Sequence, residues 1–379
     1  MPAPVAFYAP LKAPTHPNPS GDRLLARLLM GALEEAGFDV RLACTLRSRD
    51  AIGNPARQLR LAQLGEALAA RLVHRWQRQQ WQPRLWFTYH LYYKAPDWIG
   101  PAVCRQLGIP YVCAEASWAA SRASGSWALS HQSVGDALKQ AQRIFTLNPT
   151  DSEGLTDLLG PGAPIVRLSP FIDLNAQPVS HEGKAALAKR WQLDAGKPWL
   201  ISVAMMRPGD KLASYRILAA SMAQLHSDVE LLIVGDGSAR TEVEAAFSQG
   251  LLAPDPRVRF LGQLTPAQLT PLLQAADLMV WPAVNEAFGM ALLEAQAQGL
   301  PVIAGNERGV CAVVHNDQTG QLVPPRDPTA LARTLEQALA QPALRQRWRD
   351  ASLVQVRQQH SLQAAAAVLR AELEPLLHA

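Results

Sequence analysis

The chain has 379 residues, of which 48% are hydrophobic and 18% charged, with 36 Lys and Arg against 32 Asp and Glu. That length supports two domains, each with its own core, and the composition excludes a disordered or fibrous chain. No apolar run approaches the ~20 residues needed to span a bilayer, and the small basic excess, without an accompanying motif, speaks against nucleic-acid binding.

The first residues, Met1-Pro-Ala-Pro-Val-Ala-Phe-Tyr8, lack a basic region followed by a long apolar core, so no signal peptide is expected. Residues 5–8 read as a strand, 9–20 as a loop, and a helix follows from Gly21. Ser20 is its N-cap, Leu24, Leu25, Leu28, Leu29 and Leu33 are its apolar face, and Gly37 closes it. Further strands are expected at 40–43, 85–88, 111–113, 143–147 and 165–168, with helical stretches between them. That alternation implies parallel βαβ units. Residues 57–78 form a basic helical stretch with Leu61, Leu64, Leu68 and Leu72 on one face and Trp76 near its end. It has two readings: the leucines cover the sheet while the arginines face water, or helix 56–81 lies on an anionic membrane. Residues 1–175 hold 18 Lys and Arg against 13 Asp and Glu, and the remainder 18 against 19, so the excess belongs to the first half. His90 follows the third strand within Tyr89-His-Leu-Tyr-Tyr-Lys-Ala-Pro-Asp-Trp98; its imidazole suits an acceptor hydroxyl or a phosphate, or is simply structural. Glu115 follows the fourth strand.

Residues 169–178 have the turn and proline chemistry of a linker, after which the rhythm restarts with strands at 200–203, 230–234, 258–260, 278–280 and 302–303. The expected architecture is two doubly wound sheets with a cleft between them, divided near residue 175. Arg207 and Lys211 follow the 200–203 strand at the carboxyl edge, and two cations four residues apart neutralise a diphosphate. Gly235 and Gly237 shape the turn after the next strand or meet a ligand. The most informative segment runs from Asn285 to Gly299, with Glu286 and Glu294 on either side of a Phe-Gly turn at the mouth of a helix. Free amides at the helix start suit an anion, and carboxylates suit neighbouring sugar hydroxyls. A nucleotide sugar needs both. No Asp-x-Asp element stands near a strand end to hold Mg²⁺ on a diphosphate, so no essential metal is expected. Cys44, Cys104, Cys113 and Cys311 have no metal-ligand spacing and read as buried free thiols, with a reducing cytoplasm as the default location.

Asn285-Glu-Ala-Phe-Gly-Met-Ala-Leu-Leu-Glu294 resembles the signature of retaining family 4 glycosyltransferases with the GT-B fold, and five further blocks stand in that family's order: Arg207 with Lys211, Leu231-Leu-Ile-Val-Gly-Asp-Gly237, Val258-Arg-Phe-Leu-Gly262, Gly299-Leu-Pro-Val-Ile303, and Gly320-Gln-Leu-Val-Pro324. The resemblance implies an α/β fold of two Rossmann-like doubly wound domains facing a central cleft. Residues 1–175 would bind the acceptor, 176–360 the nucleotide-sugar donor, and the helix in 361–379 would return to the first domain. It implies that Arg207 and Lys211 hold the leaving diphosphate, Glu286 the transferred sugar and Glu294 the ribose. Asn285, Phe288, Gly289 and Met290 would line the sugar and phosphates, with Gly235, Asp236 and Gly237 nearby and Arg259 and Leu261 beside the base. The family's glycine-rich turn is matched only by Gly21 in Pro19-Ser20-Gly21. A histidine at the position of His90 recurs in the family, whereas Glu115 stands where many relatives carry another histidine, so that role does not transfer. The implied activity is transfer from a UDP- or GDP-sugar to an acceptor hydroxyl, on a glycan or lipid-linked glycan, with retention and without a cofactor. The location would be cytoplasmic, with contact at the inner membrane face. A sugar-nucleotide epimerase and a non-catalytic sugar-nucleotide-binding protein are the alternatives.

Overall fold

The computed structural model describes residues 2–18, 20–178, 180–248 and 255–378, so Pro19 of the expected phosphate turn lies outside the described residues. The chain divides into two units, Met1–Ser169 with Leu362–Ala379, and Pro170–Ser361.

In the first unit the order is β1 (Ala3–Tyr8), α1 (Gly21–Glu35), β2 (Phe38–Cys44), α2 (Pro55–Arg78), β3 (Leu85–Leu91), α3 (Gly100–Leu107), β4 (Tyr111–Ala116), α4 (Ala128–Gln140), β5 (Ala141–Thr146), α5 (Asp151–Leu159) and β6 (Ile165–Arg167). The second unit runs α6 (Lys184–Trp191), β7 (Trp199–Val203), α7 (Asp210–Met222), β8 (Glu230–Val234), α8 (Arg240–Ala246), β9 (Val258–Gly262), α9 (Pro266–Ala275), β10 (Leu278–Trp281), α10 (Met290–Ala297), β11 (Val302–Gly305), β12 (Gly320–Val323), α11 (Pro328–Leu339) and α12 (Pro342–Gln359). A last helix, α13 (Leu362–Leu373), belongs to the first unit.

Each unit has one six-stranded sheet, ordered β2-β1-β3-β4-β5-β6 in the first and β12-β11-β10-β7-β8-β9 in the second. All pairings are parallel. Their strands carry near-continuous apolar runs because helices cover both faces; Val5, Ala6, Phe7 and Tyr8 of β1 are fully buried. In each sheet the chain reverses its direction of strand addition at one place, β1 beside β3 and β7 beside β10, and such switch points leave a crevice at the carboxyl edge.

The Ser20 side chain accepts from Arg23 N at 3.3 Å and caps α1. Leu25, Leu28, Leu29 and Leu33 are buried, but Leu24 is 42% exposed, since five leucines in ten residues span more of the helix circumference than one packed face covers. Helix α13 lies against α1, where Arg370 donates to Ala36 O at 2.8 Å and Glu35 O at 3.1 Å and so satisfies carbonyls at the end of α1. Helix α2 is capped by Asn54 and buries Leu61, Leu72 and Val73 with Trp76, which is 4% exposed. Leu64, expected on the covering face, is 39% exposed. Trp81 donates to Asp39 at 2.9 Å and lies under Arg41. Cys104 and Cys113 are buried, Cys44 is partly buried, and Cys311 is exposed, contrary to expectation, because it sits in the short 3-10 turn Val310–Ala312 outside the sheet. Among the described residues no helix is long and apolar enough to cross a membrane.

Candidate functional site

In the second unit the loops leaving β7 and β10 sit side by side at the switch point, because β7 and β10 pair directly. Lys211, in the first turn of α7, donates to Glu286 Oε2, and Trp281 Nε1 donates to the same oxygen at 3.3 Å. The Lys211 ammonium stands 5.3 Å from the centre of the Trp281 ring, a cation–π contact that holds the lysine at this spot. Glu286 Oε1 accepts nothing among the described residues and keeps its capacity for a ligand hydroxyl. Arg207 is exposed and has no ion-pair partner among the described residues. Tyr215 packs edge-on to Trp281 at 5.1 Å and supports it from below.

Asn285 does not point its amide freely outward; it donates to Asp210 Oδ2 at 2.9 Å and ties the β10 loop to the start of α7. Ser214 Oγ accepts from Val284 N at 3.0 Å and makes the same connection one residue earlier. Gly289, at φ +77°, precedes α10 with no side-chain cap, so Met290 begins a helix whose first amides are open to an anion. The Phe288 ring is buried, which leaves only its backbone for a ligand. Glu294, one turn further, is half-buried and makes no hydrogen bond or ion pair among the described residues; burial raises its pKa. A carboxylate removed from water without a partner is costly unless a ligand supplies donors.

The turn after β8 serves the same loops. A Cβ on Gly235 would stand 1.9 Å from Ala204 O, and one on Gly237 2.2 Å from Met206 O. The two glycines therefore allow the Asp236 turn to lie against the Arg207 loop, which is joined to it by Met206 N donating to Asp236 O at 3.0 Å. The Asp236 side chain accepts from Gly237 N and Arg240. Leu261 is near the carboxyl end of β9 and partly exposed. Arg259 departs from its expected place beside a base: its guanidinium is 3.3 Å from Glu230 Oε2, at the first residue of β8 and hence at the opposite, amino edge of the sheet. Burying Glu230 without a counter-charge is unfavourable, and Arg259 supplies one.

In the first unit the switch point brings together the start of α1 and the end of β3. Asp22, two residues past the Ser20 cap and next to Gly21, faces His90 Nδ1 at 3.2 Å. His90 and Glu115, on adjacent strand ends, both have positive φ, +64° and +55°, a backbone strain that clusters at functional sites. Burial lowers the His90 pKa, but contact with Asp22 and the charges of Glu115, Asp22 and Asp151 outweigh it and raise it. Contact with His90 lowers the Asp22 pKa against the effect of burial. Burial pushes Glu115 up to about 7, with His90 opposing and Asp151 and Asp22 adding to the rise.

A group that holds its proton more tightly when folded stabilises the fold below its unfolded pKa and loses that contribution as pH rises through the folded value. Both Glu115 and His90 have this sign. The melting-temperature advantage of Glu115→Gln over the wild type is expected to grow from pH 5 to pH 8; parallel curves would remove the proton from Glu115 in this range.

Sequence reasoning passed over Asp22 and Trp281. Asp22 was visible as an acid in the first turn of a capped helix, and Trp281 as the last strand residue before the carboxylate loop. Neither partnership has a local signature.

A family model described as Glycosyl transferases group 1 matches residues 184–353. Among curated proteins, the chain is 31% identical over 191 residues to D-inositol 3-phosphate glycosyltransferase of Corynebacterium kroppenstedtii, covering 48% of this chain and 39% of that protein. It is 29% identical over 269 residues to glycogen synthase of Mycobacterium tuberculosis, covering 67% and 61%. The chain thus spans less than two thirds of either relative. Among solved structures, the sucrose-phosphate synthase of Thermosynechococcus elongatus superposes with a TM-score of 0.72 at 21% identity, covering 99% of both chains. The Anabaena protein HepE, crystallised with UDP, superposes with 0.75 at 16% identity, covering 99% of this chain and 100% of that one.

Proposed function

We propose that this protein transfers a sugar from a nucleoside diphosphate sugar to an acceptor hydroxyl, as a retaining family 4 enzyme, a reading supported by the match of residues 184–353 to the group 1 glycosyltransferases. The fold is GT-B. The observation that carries the reading is the set of groups on one edge of the second unit that have no partner among the described residues: the Arg207 side chain, Glu286 Oε1, the half-buried Glu294 carboxylate, and the start of α10. A diphosphate and two sets of sugar hydroxyls satisfy all four. HepE structures with UDP and with UDP-glucose support a uridine diphosphate donor, with a GDP-sugar as the second choice.

In this reading residues 176–360 bind the donor and 1–175 the acceptor. Arg207 and Lys211 stabilise the negative charge that grows on the diphosphate as its bond to the anomeric carbon breaks. The acceptor oxygen bonds to the same face of that carbon, and its proton passes to the departing phosphate oxygen. His90 and Glu115 orient the acceptor hydroxyl.

Calorimetric titration of uridine, guanosine and adenosine diphosphates and their sugar conjugates tests the donor pocket. One base is expected to bind, with affinity lowered roughly tenfold or more in Glu294→Ala; no binding by any nucleotide would sink the transferase reading. Consumption of the conjugate without acceptor would point to an epimerase.

Contact with an anionic membrane, with the protein in the cytoplasm, is part of the proposal in a purely electrostatic form. Trp76 of α2 is buried within its own unit with Leu61 and Leu72, Leu59 and Leu64 are exposed as single side chains, and the exposed face carries Arg57, Arg60, Arg71, Arg75 and Arg78. Sedimentation with phosphatidylserine vesicles at low salt, lost by about 0.5 M NaCl, is the expected result; retention at high salt would require an inserted apolar face instead.

A further inference from the structure

The carboxyl edge of the first sheet has a second chemical feature beside the His90 cluster. The loops leaving β1, β2, β3 and β4 carry five cations, Lys12, Arg47, Arg49, Lys94 and Arg122, against two carboxylates, Asp50 and Asp97. Neither carboxylate neutralises them. Asp50 is buried and accepts from Ile52 N, Gly53 N, Asn54 N and Gln58 Nε2. Asp97 is buried and accepts from Trp86, Thr88, Tyr111 and the amides of Ile99 and Gly100. Arg49, Lys94 and Arg122 have no ion-pair partner among the described residues.

These three cations stand on segments laced to one another. Asp50 N donates to Lys94 O at 2.8 Å, and Trp127 Nε1 donates to Asp50 O at 3.3 Å. Lys94 lies 5.7 Å from the Tyr93 ring and 5.4 Å from that of Trp127, and Arg122 lies 5.2 Å from Tyr93. The rings form a continuous path, with centroids 5.0 Å from His90 to Tyr92, 5.7 Å to Tyr93 and 5.5 Å to Trp127. A cation held over a ring has lost part of its rotamer freedom before a ligand arrives, which lowers the entropic cost of binding an anion.

We propose that Arg49, Lys94 and Arg122 form an anion subsite that holds a phosphate or carboxylate of the acceptor, while the acceptor's hydroxyl lies toward His90. The assignment rests on the transferase reading and deepens it by naming the acceptor as an anionic, hydroxyl-bearing molecule. The chemistry at the two ends differs. Around His90, Asp22 and Glu115 offer hydrogen-bonding groups suited to a hydroxyl, whereas the cations without an ion-pair partner among the described residues stand at the aromatic end, which directs the charged group there.

The test is calorimetric titration of glucose, glucose 6-phosphate and glucuronate into the full chain. Three proteins are compared: wild type, Lys94→Gln with Arg122→Gln, and Arg207→Gln with Lys211→Gln. One anionic sugar is expected to bind roughly tenfold more tightly than glucose. That advantage should vanish in the first double variant, persist in the second, and fall with added NaCl. The better of the two anions tells phosphate from carboxylate. Equal behaviour of all three sugars, including absence of binding, overturns the subsite, as does an advantage that disappears with Arg207 and Lys211. Nucleoside diphosphate titrated into the same proteins reports on the donor pocket separately: its failure in the wild type removes the transferase reading, whereas an unchanged circular dichroism melting curve of the Lys94 and Arg122 double variant shows that its first unit is folded.

Discussion

Lys211→Ala is expected to lower kcat roughly 10²- to 10³-fold, the magnitude found when one preorganised donor to a developing negative charge is removed. The ammonium is fixed before the donor arrives, by Glu286 on one side and the Trp281 ring on the other, so it needs no reorganisation as the diphosphate leaves. Its interaction is stronger in the transition state than with intact donor, and kcat should therefore fall more than KM rises. Chelation by EDTA should leave the wild-type rate unchanged, because the two cations are proposed to do the work assigned elsewhere to Mg²⁺. A kcat within about threefold of wild type would mean that Lys211 serves Glu286 and not the reaction.

The largest loss of stability is expected from Gly235→Ala. Gly235 has φ +140°, where an L side chain is strained, and its added Cβ would stand 1.9 Å from Ala204 O, a backbone atom that cannot swing aside. Strain and overpacking together cost about 3 kcal/mol or more, enough to lower the melting temperature of a unit this size by roughly 10 °C. Gly162→Ala, where nothing stands within 4 Å of the new Cβ, is the matched control and should change little. Because the turn at Gly235 supports the Arg207 loop, the surviving folded fraction should also bind nucleoside diphosphate more weakly. Equal melting of both variants would show that the two loops do not approach as described.

Much of the fold was legible along the chain because parallel strands covered on both faces are short apolar runs, and runs such as Glu230–Val234 stand out against the helical stretches around them. Helix starts were legible where a polar side chain reaches its own backbone, as Ser20 does at α1. Leu24 and Leu64 show the limit: a leucine at the margin of an apolar stripe is buried only if a neighbour extends that far, and the neighbour is not local. Arg259 shows another. Its strand was readable, but a side chain of that length reaches along the strand, and the buried carboxylate of Glu230 decided which edge it serves.

The candidate donor site divides in the same way. Residue types and short spacings determined what chemistry was present: a cation pair four apart, a carboxylate on either side of a Phe-Gly turn, and a helix start open to an anion. The tertiary structure decided which groups meet. Lys211 and Glu286, 75 positions apart, are neighbours because β10 pairs with β7, and Asp22 meets His90 because β3 lies beside β1. Strand order in a doubly wound sheet follows from crossover handedness and from which apolar surfaces bury one another, both properties of the folded chain as a whole. Local pattern can place a residue at the carboxyl edge of its strand, but only the order of strands across the sheet can choose its neighbour.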